Sequence, residues 1–291
     1  MSFRSLNEIL NKSEETGKAF WEIVMEDDMN ERAVSSRESF ERMRQLYDSM
    51  KNANAAYDKN LLSASRLVGG DGEKVSHALK EGKLLSGSYV GEAIAKALKM
   101  GENNACMKRI VAAPTAGSCG VLPAVLLTYE EQKQADMNRM VKAMFVASGI
   151  GVVISIRAFL AGAAGGCQAE IGSASAMAAG ALAYLQGGNG EAIAHASALT
   201  LKNLLGLVCD PVAGLVEVPC VKRNVVGAVN AIASADMAIA GVRSQIPPDE
   251  VIDAMREVGE QMPRVMRETG EGGLAATPTG VEIAERVIHK S

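Results

Sequence analysis

Between residues 143 and 242 only nine of a hundred side chains carry a charge, whereas residues 1–60 hold 21. Charges return after Arg243. So long a stretch with so few charges cannot be left facing water. It belongs either to the core of a large soluble fold or to a membrane protein. Two runs sharpen the choice: AMFVASGIGVVISI at 143–156 and VVGAVNAIASADMAIAGV at 225–242. The first is 14 residues long and stops at Arg157, short of the roughly 20 that a spanning helix needs. The second carries Asn230 and Asp236, which are costly in lipid. Both therefore read as buried helices. A chain of 291 residues is long enough to enclose them. We read 1–291 as one domain, with 1–60 a charged helical flank and 143–242 the buried core.

Composition says which kind of core this is. Aromatic residues make up 4% of the chain, against 29 glycines and 15 methionines. Small side chains let helices approach closely, while a β-sandwich would need more β-branched and aromatic residues. Period-two strands are scarce, the best candidate being VVISI at 152–156. The fold class that follows is all-α, a multi-helix bundle with buried small-residue helices and irregular loops. Local signals agree. Ser5 with Glu8 makes a capping box ahead of Leu6, Ile9 and Leu10. Phe40, Met43, Tyr47 and Met50 fall on one helical face. Pro247-Pro248-Asp249 starts a helix with a stripe of Val251, Met255, Val258, Met262 and Val265, kinked at Pro263. Gly69-Gly70-Asp71-Gly72 reads as a turn or loop, as does Gly187-Gly188-Asn189-Gly190. Asn189 caps a helix that runs to about Leu205 and stops at Gly206. The net charge of −4 gives no basic surface for nucleic acid or anionic lipid. A polar N-terminus and an odd number of cysteines point to the cytoplasm, without a disulfide framework.

Chemistry on such a chain must come from its few reactive side chains. Cysteines stand at 106, 119, 167, 209 and 220. Cys167 follows two glycines and opens the small-residue stretch CQAEIGSASAMAAG. Cys209 and Cys220 bound CDPVAGLVEVPC, which Pro211 and Pro219 keep out of a helix. Three such thiols can converge on one metal centre. With no short C-x-x-C pair present, they can equally be small buried hydrophobes. The stretch Pro114-Thr115-Ala116-Gly117-Ser118-Cys119-Gly120 leads into the apolar helix VLPAVLLTY. A loop of small residues at a helix start exposes N–H groups to an anion, although an ordinary capped turn looks the same. His195 and Lys202 share a helical face leading to Cys209, whereas His77 and His289 lie in polar flanks. His195 is either a proton carrier or a hydrogen-bonded core residue. Glu170, Asp210 and Glu217 read as backbone supports, with Arg157, Lys222 or Arg223 as partners.

The segments PTAGSCG (114–120), GCQAEIGSASAMAAG (166–180) and CDPVAGLVEVPC (209–220), in this order, carry a family resemblance. Over essentially its whole length the chain resembles the α chain of bacterial iron–sulfur L-serine dehydratases. The resemblance implies that Cys167, Cys209 and Cys220 ligate a 4Fe–4S cluster, with Cys106 and Cys119 structural. Three ligands leave one iron free as a Lewis acid toward the serine hydroxyl. A fourth protein thiolate would make the cluster an electron carrier instead. Removal of the Cα proton then gives aminoacrylate, which ends as pyruvate and ammonia, a step of serine degradation that feeds gluconeogenesis. By the same resemblance Thr115, Ala116, Gly117 and Ser118 bind the substrate carboxylate; from their shared helical face His195 and Lys202 are the candidate proton carriers. The family also uses a β chain or β domain with a Ser-Ser-His-Thr type motif, absent here, so a β-chain partner is expected. The alternatives are an L-cysteine desulfidase of similar cluster chemistry, a non-enzymatic metal-stapled scaffold and a small membrane component. A pyridoxal-phosphate enzyme is disfavoured, for no phosphate cup is paired with a Schiff-base lysine.

Overall fold

The computed structural model describes residues 3–288, so His289 lies outside the described residues. Among the described residues there are thirteen α-helices and no strand. The one ladder-like contact is an isolated parallel bridge between Cys209 and Arg267.

The N-terminal flank is α1 (Leu6–Thr16), α2 (Phe20–Arg32) and α3 (Ser36–Ala55). Ser5 accepts the Glu8 N–H at 3.0 Å. The Glu8 carboxylate takes the Arg4 N–H instead of that of Ser5, so half of the expected box forms. A complete one stands at Ser35 and Glu38, ahead of α3. On α3, Tyr47 and Met50 enter the core while Phe40 and Met43 pack at its edge, as their spacing predicts. Next come α4 (Asp71–Lys80), α5 (Gly87–Ala105), α6 (Val121–Lys133) and α7 (Met137–Arg157). The expected turn at 69–72 is the entry to α4, whose first N–H groups are taken by the Glu102 carboxylate, 2.7 Å from Asp71 N.

VVISI lies wholly within α7 and is not a strand. Its β-branched residues suit a strand by propensity, but packing against α2 and α3 overrides that weak preference. The 14-residue apolar run is part of a 21-residue helix, long and apolar enough by composition to cross a membrane; 67% of its apolar window is buried inside the protein.

The remaining helices are α8 (Gly162–Gly165), α9 (Cys167–Leu185), α10 (Gly190–Lys202), α11 (Cys220–Ile239), α12 (Pro248–Gln261) and α13 (Pro278–Ile288). The axis of the molecule is α9, with 17 of its 19 residues buried and α6, α7, α10 and α11 around it. Ser175 donates to the Gly227 carbonyl at 2.6 Å, so α9 and α11 nearly touch. A Cβ at Gly227 would stand 2.8 Å from Val121 and 2.9 Å from Ile171. The small residues are therefore the condition for this packing. Asn189 caps α10 by accepting the Ala192 N–H at 3.0 Å. The helix ends at Lys202, and the chain turns through Gly206, at φ 83°. Pro263 does not kink α12: the helix has already ended at Gln261, and Val265 beyond it is exposed. Proline disfavours a helical conformation in the residue before it, and Met262 is extended.

Candidate metal centre

Two of the cysteines open helices, Cys167 at α9 and Cys220 at α11, while α6 follows directly on Gly120. Gly166 reaches α9 with φ 77°, and a Cβ there would lie 2.9 Å from the Leu207 carbonyl. Only glycine makes that entry without strain. In the first turns of α9 and α11 two amides fix the surroundings. Asn224 accepts the Gly120 N–H at 2.8 Å and donates to the carbonyls of Gly117 at 2.8 Å and Cys220 at 3.0 Å. Gln168 donates to the Met255 carbonyl at 3.0 Å and accepts the Gly206 N–H at 2.9 Å. Asn224 thus joins the starts of α6 and α11, and Thr115, donating to Glu170, brings the loop before α6 to the first turn of α9; the dipoles of these helix starts favour negative charge.

There Cys167, Glu170 and Cys209 offer three donor atoms within 4.8 Å of one another. The Cys209 S–H donates to the Cys167 sulfur; that bond, helped by Arg223, holds the Cys167 thiol below its ordinary range in spite of burial. The same bond and burial push Cys209 upward. Cys220 is pushed up to about 12 by burial and by nearby Cys167 and Glu170, so it shares their field. Cys119 stands apart, its Sγ 3.6 Å from the Met100 carbonyl. Cys106 caps the end of α5.

The 209–219 segment is irregular, as its prolines predict, and tied down on every side. The Cys209 N–H donates to the Met266 carbonyl at 2.8 Å, and its own carbonyl accepts the Glu268 N–H at 2.7 Å. Asp210 pairs with Arg223 at 2.7 Å and accepts the Leu274 N–H at 2.8 Å. Glu217 is held by the hydroxyls of Ser63, at 2.8 Å, and Ser65. Of the three expected cationic partners only Arg223 serves here: Lys222 pairs with Asp71 and Arg157 with Asp253.

The loop before α6 reaches the same place. Thr115 donates to Glu170 and lies 2.9 Å from the Ser118 hydroxyl. Ala116 belongs to the same turn, its carbonyl accepting the Cys119 N–H at 3.2 Å. A Cβ on Gly117 would come within 2.7 Å of the Glu170 carboxylate. The anion gathered by this loop is thus the side chain of Glu170, whose burial raises its affinity for a proton. His195 is engaged elsewhere. Its Nδ1 accepts the Ser244 N–H at 3.1 Å and its Nε2 lies 3.4 Å from Glu191. Lys202 sits in the last turn of the same helix. Sequence reasoning missed Asn224, although an amide one turn past Cys220 was its signal. It also missed the 266–268 segment that bonds to Cys209 on both sides, which no motif marked.

Two buried thiols and a carboxylate at converging helix starts define an all-α protein whose centre offers three donor atoms to a metal ion. The family model described as serine dehydratase alpha chain matches residues 15–275. The chain belongs to that family. It is 45% identical over 286 residues to the probable L-serine dehydratase alpha chain of Bacillus subtilis, covering 98% of this chain and 95% of that one. To the L-serine dehydratase alpha chain of Peptoniphilus asaccharolyticus it is 42% identical over 280 residues, 95% of each. L-serine dehydratase 1 of Escherichia coli is 42% identical over 181 residues, which are 62% of this chain and 40% of the relative.

Proposed function

We propose that this chain is the α chain of an iron–sulfur L-serine dehydratase, a lyase that forms pyruvate and ammonia from L-serine. Family membership and the α-chain relatives of nearly equal length support the reaction. The observation that carries the cofactor is the gathering of buried Cys167 and Cys209 with Glu170, next to Cys220. Soft thiolates suit an iron–sulfur centre. Three helix starts and Arg223 suit its negative charge. When bound, the cluster supplies a Lewis-acidic iron for the serine hydroxyl.

The remaining work falls to the chain's own side chains. Cys167, Cys209 and Cys220 hold the cluster. Arg223, anchored by Asp210 and by the Val208 carbonyl at 2.8 Å, sets a positive charge beside Cys167. Glu170 fixes Thr115 and with it the 115–118 loop that walls the site. A β chain is the natural partner. In the relative from Escherichia coli the matched region is only 40% of the length, and in this reading a second polypeptide does the work of the rest. The cytoplasm is the proposed location.

The test is anaerobic co-purification with a β chain, followed by pyruvate formation from L-serine and from L-cysteine side by side. The reading expects iron with acid-labile sulfide, preference for serine, and little turnover by the α chain alone. Faster turnover of cysteine would make the protein a desulfidase. Zinc without sulfide would make it a scaffold.

A further inference from the structure

We propose that Arg267 receives the carboxylate of the substrate. The inference rests on the L-serine reading above and adds a residue to it. Arg267 is the partner of Cys209 in the isolated parallel bridge, so its backbone runs beside that thiol's. Its side chain is partly buried but barely engaged. Among the described residues its one hydrogen bond runs from a terminal nitrogen to the Ala164 carbonyl at 3.4 Å. Its Nε is buried without a partner.

The place of that unpaired N–H is informative. Ala164 lies in α8, and a Cβ on Gly162 at the start of α8 would come within 2.8 Å of Cys209 Sγ and 3.2 Å of the Glu268 carboxylate. The Arg267 guanidinium therefore flanks the thiol centre. Buried N–H groups left unpaired are rare in folded proteins, and each one asks for a partner. The other arginine at the centre, Arg223, is already committed to Asp210, Val208 and Cys167. The 115–118 loop already surrounds the Glu170 carboxylate, and a second carboxylate there would be repelled. Arg267 has unused donors in a planar fork, the geometry that pairs with a carboxylate through two parallel bonds. Glu268 beside it offers the opposite charge to the substrate ammonium.

The experiment uses the anaerobic α/β holoenzyme carrying Arg267→Met or Arg267→Lys, assayed with L-serine and with L-serinamide, which lacks the carboxylate. Arg267→Met should raise KM for L-serine by about 10- to 100-fold, the worth of hydrogen bonds to a charged group, with kcat changed little. The preference of the native enzyme for serine over serinamide should collapse, while cluster absorbance stays intact. Free guanidinium in the assay should restore part of the affinity. Arg267→Lys, which keeps the charge but loses the fork, should fall between. An unchanged KM and an unchanged serine-to-serinamide ratio with the cluster intact would overturn the proposal. So would loss of the cluster in Arg267→Met together with native KM in Arg267→Lys, which would make Arg267 a prop for Cys209. A native holoenzyme that forms no pyruvate from serine would instead defeat the reading of function.

Discussion

A single amide, Asn224, links the loop before α6 to the start of α11 through three hydrogen bonds, all buried. Asn224→Ala strands the Gly120 N–H and the Gly117 carbonyl, while the Cys220 carbonyl keeps its helical bond. It should cost about 2–4 kcal/mol, read from the midpoint shift in urea unfolding of the metal-free protein. A native midpoint would show that water replaces the side chain. His195 makes a prediction of a different sign. Burial lowers its pKa below the ordinary 6.5. Between the lowered value and 6.5 the unfolded chain binds a proton that the folded chain does not. Stability therefore rises with pH across that window and is lost on acidification below 6.5. His195→Gln should flatten that slope in unfolding experiments between pH 5 and 7. Should its kcat also hold, His195 is a structural residue. These two residues show what could be read from the sequence. The cysteines stood out because long motifs surround them. Asn224 did not, because its role depends on a loop a hundred residues away.

At the scale of elements, the helix starts carry the design. Gly166→Ala puts a Cβ at positive φ and 2.6 Å from Met262 as well as against the Leu207 carbonyl. The substitution should cost about 1–3 kcal/mol. Because Cys167 follows directly, it should also lower the iron retained per chain after gel filtration. Loss of stability without loss of iron would mean that Cys167 tolerates a shifted α9. The apolar face of α3, the cap of α10 and the all-α class were legible from periodicity and small residues. The ends of α10 and α12 were not, since turns after a helix depend on neighbours. VVISI was ambiguous because propensity and burial compete in a short apolar run, and the packing around α7 decides the outcome. The 115–118 loop, read as a seat for the substrate carboxylate, hydrogen-bonds the Glu170 carboxylate through Thr115. Small residues at a helix start announce an anion without saying whose it is.

Across the whole molecule, a large apolar core built on α9, with a small second cluster of Val68, Leu98 and Val221, carries the irregular segments that meet at the helix starts. The 209–219 loop is clamped between residues 63–65 on one side and 266–274 on the other. The thiols thus depend on contacts with both flanks of the chain. Asp210→Ala removes the link to Leu274 and leaves Arg223 without its ion pair. It should loosen the C-terminal segment, seen as faster proteolysis after Met262, and raise the rate of iron loss. The central claim is that Cys167, Cys209 and Cys220 together hold one metal centre. Its most direct measurement is iron and acid-labile sulfide per chain after anaerobic purification of the native protein and the five single Cys→Ser variants. The account predicts about four of each in the native protein, in Cys106→Ser and in Cys119→Ser, and near-complete loss in Cys167→Ser, Cys209→Ser and Cys220→Ser. A native cluster in Cys209→Ser, or its loss in Cys119→Ser alone, would contradict it.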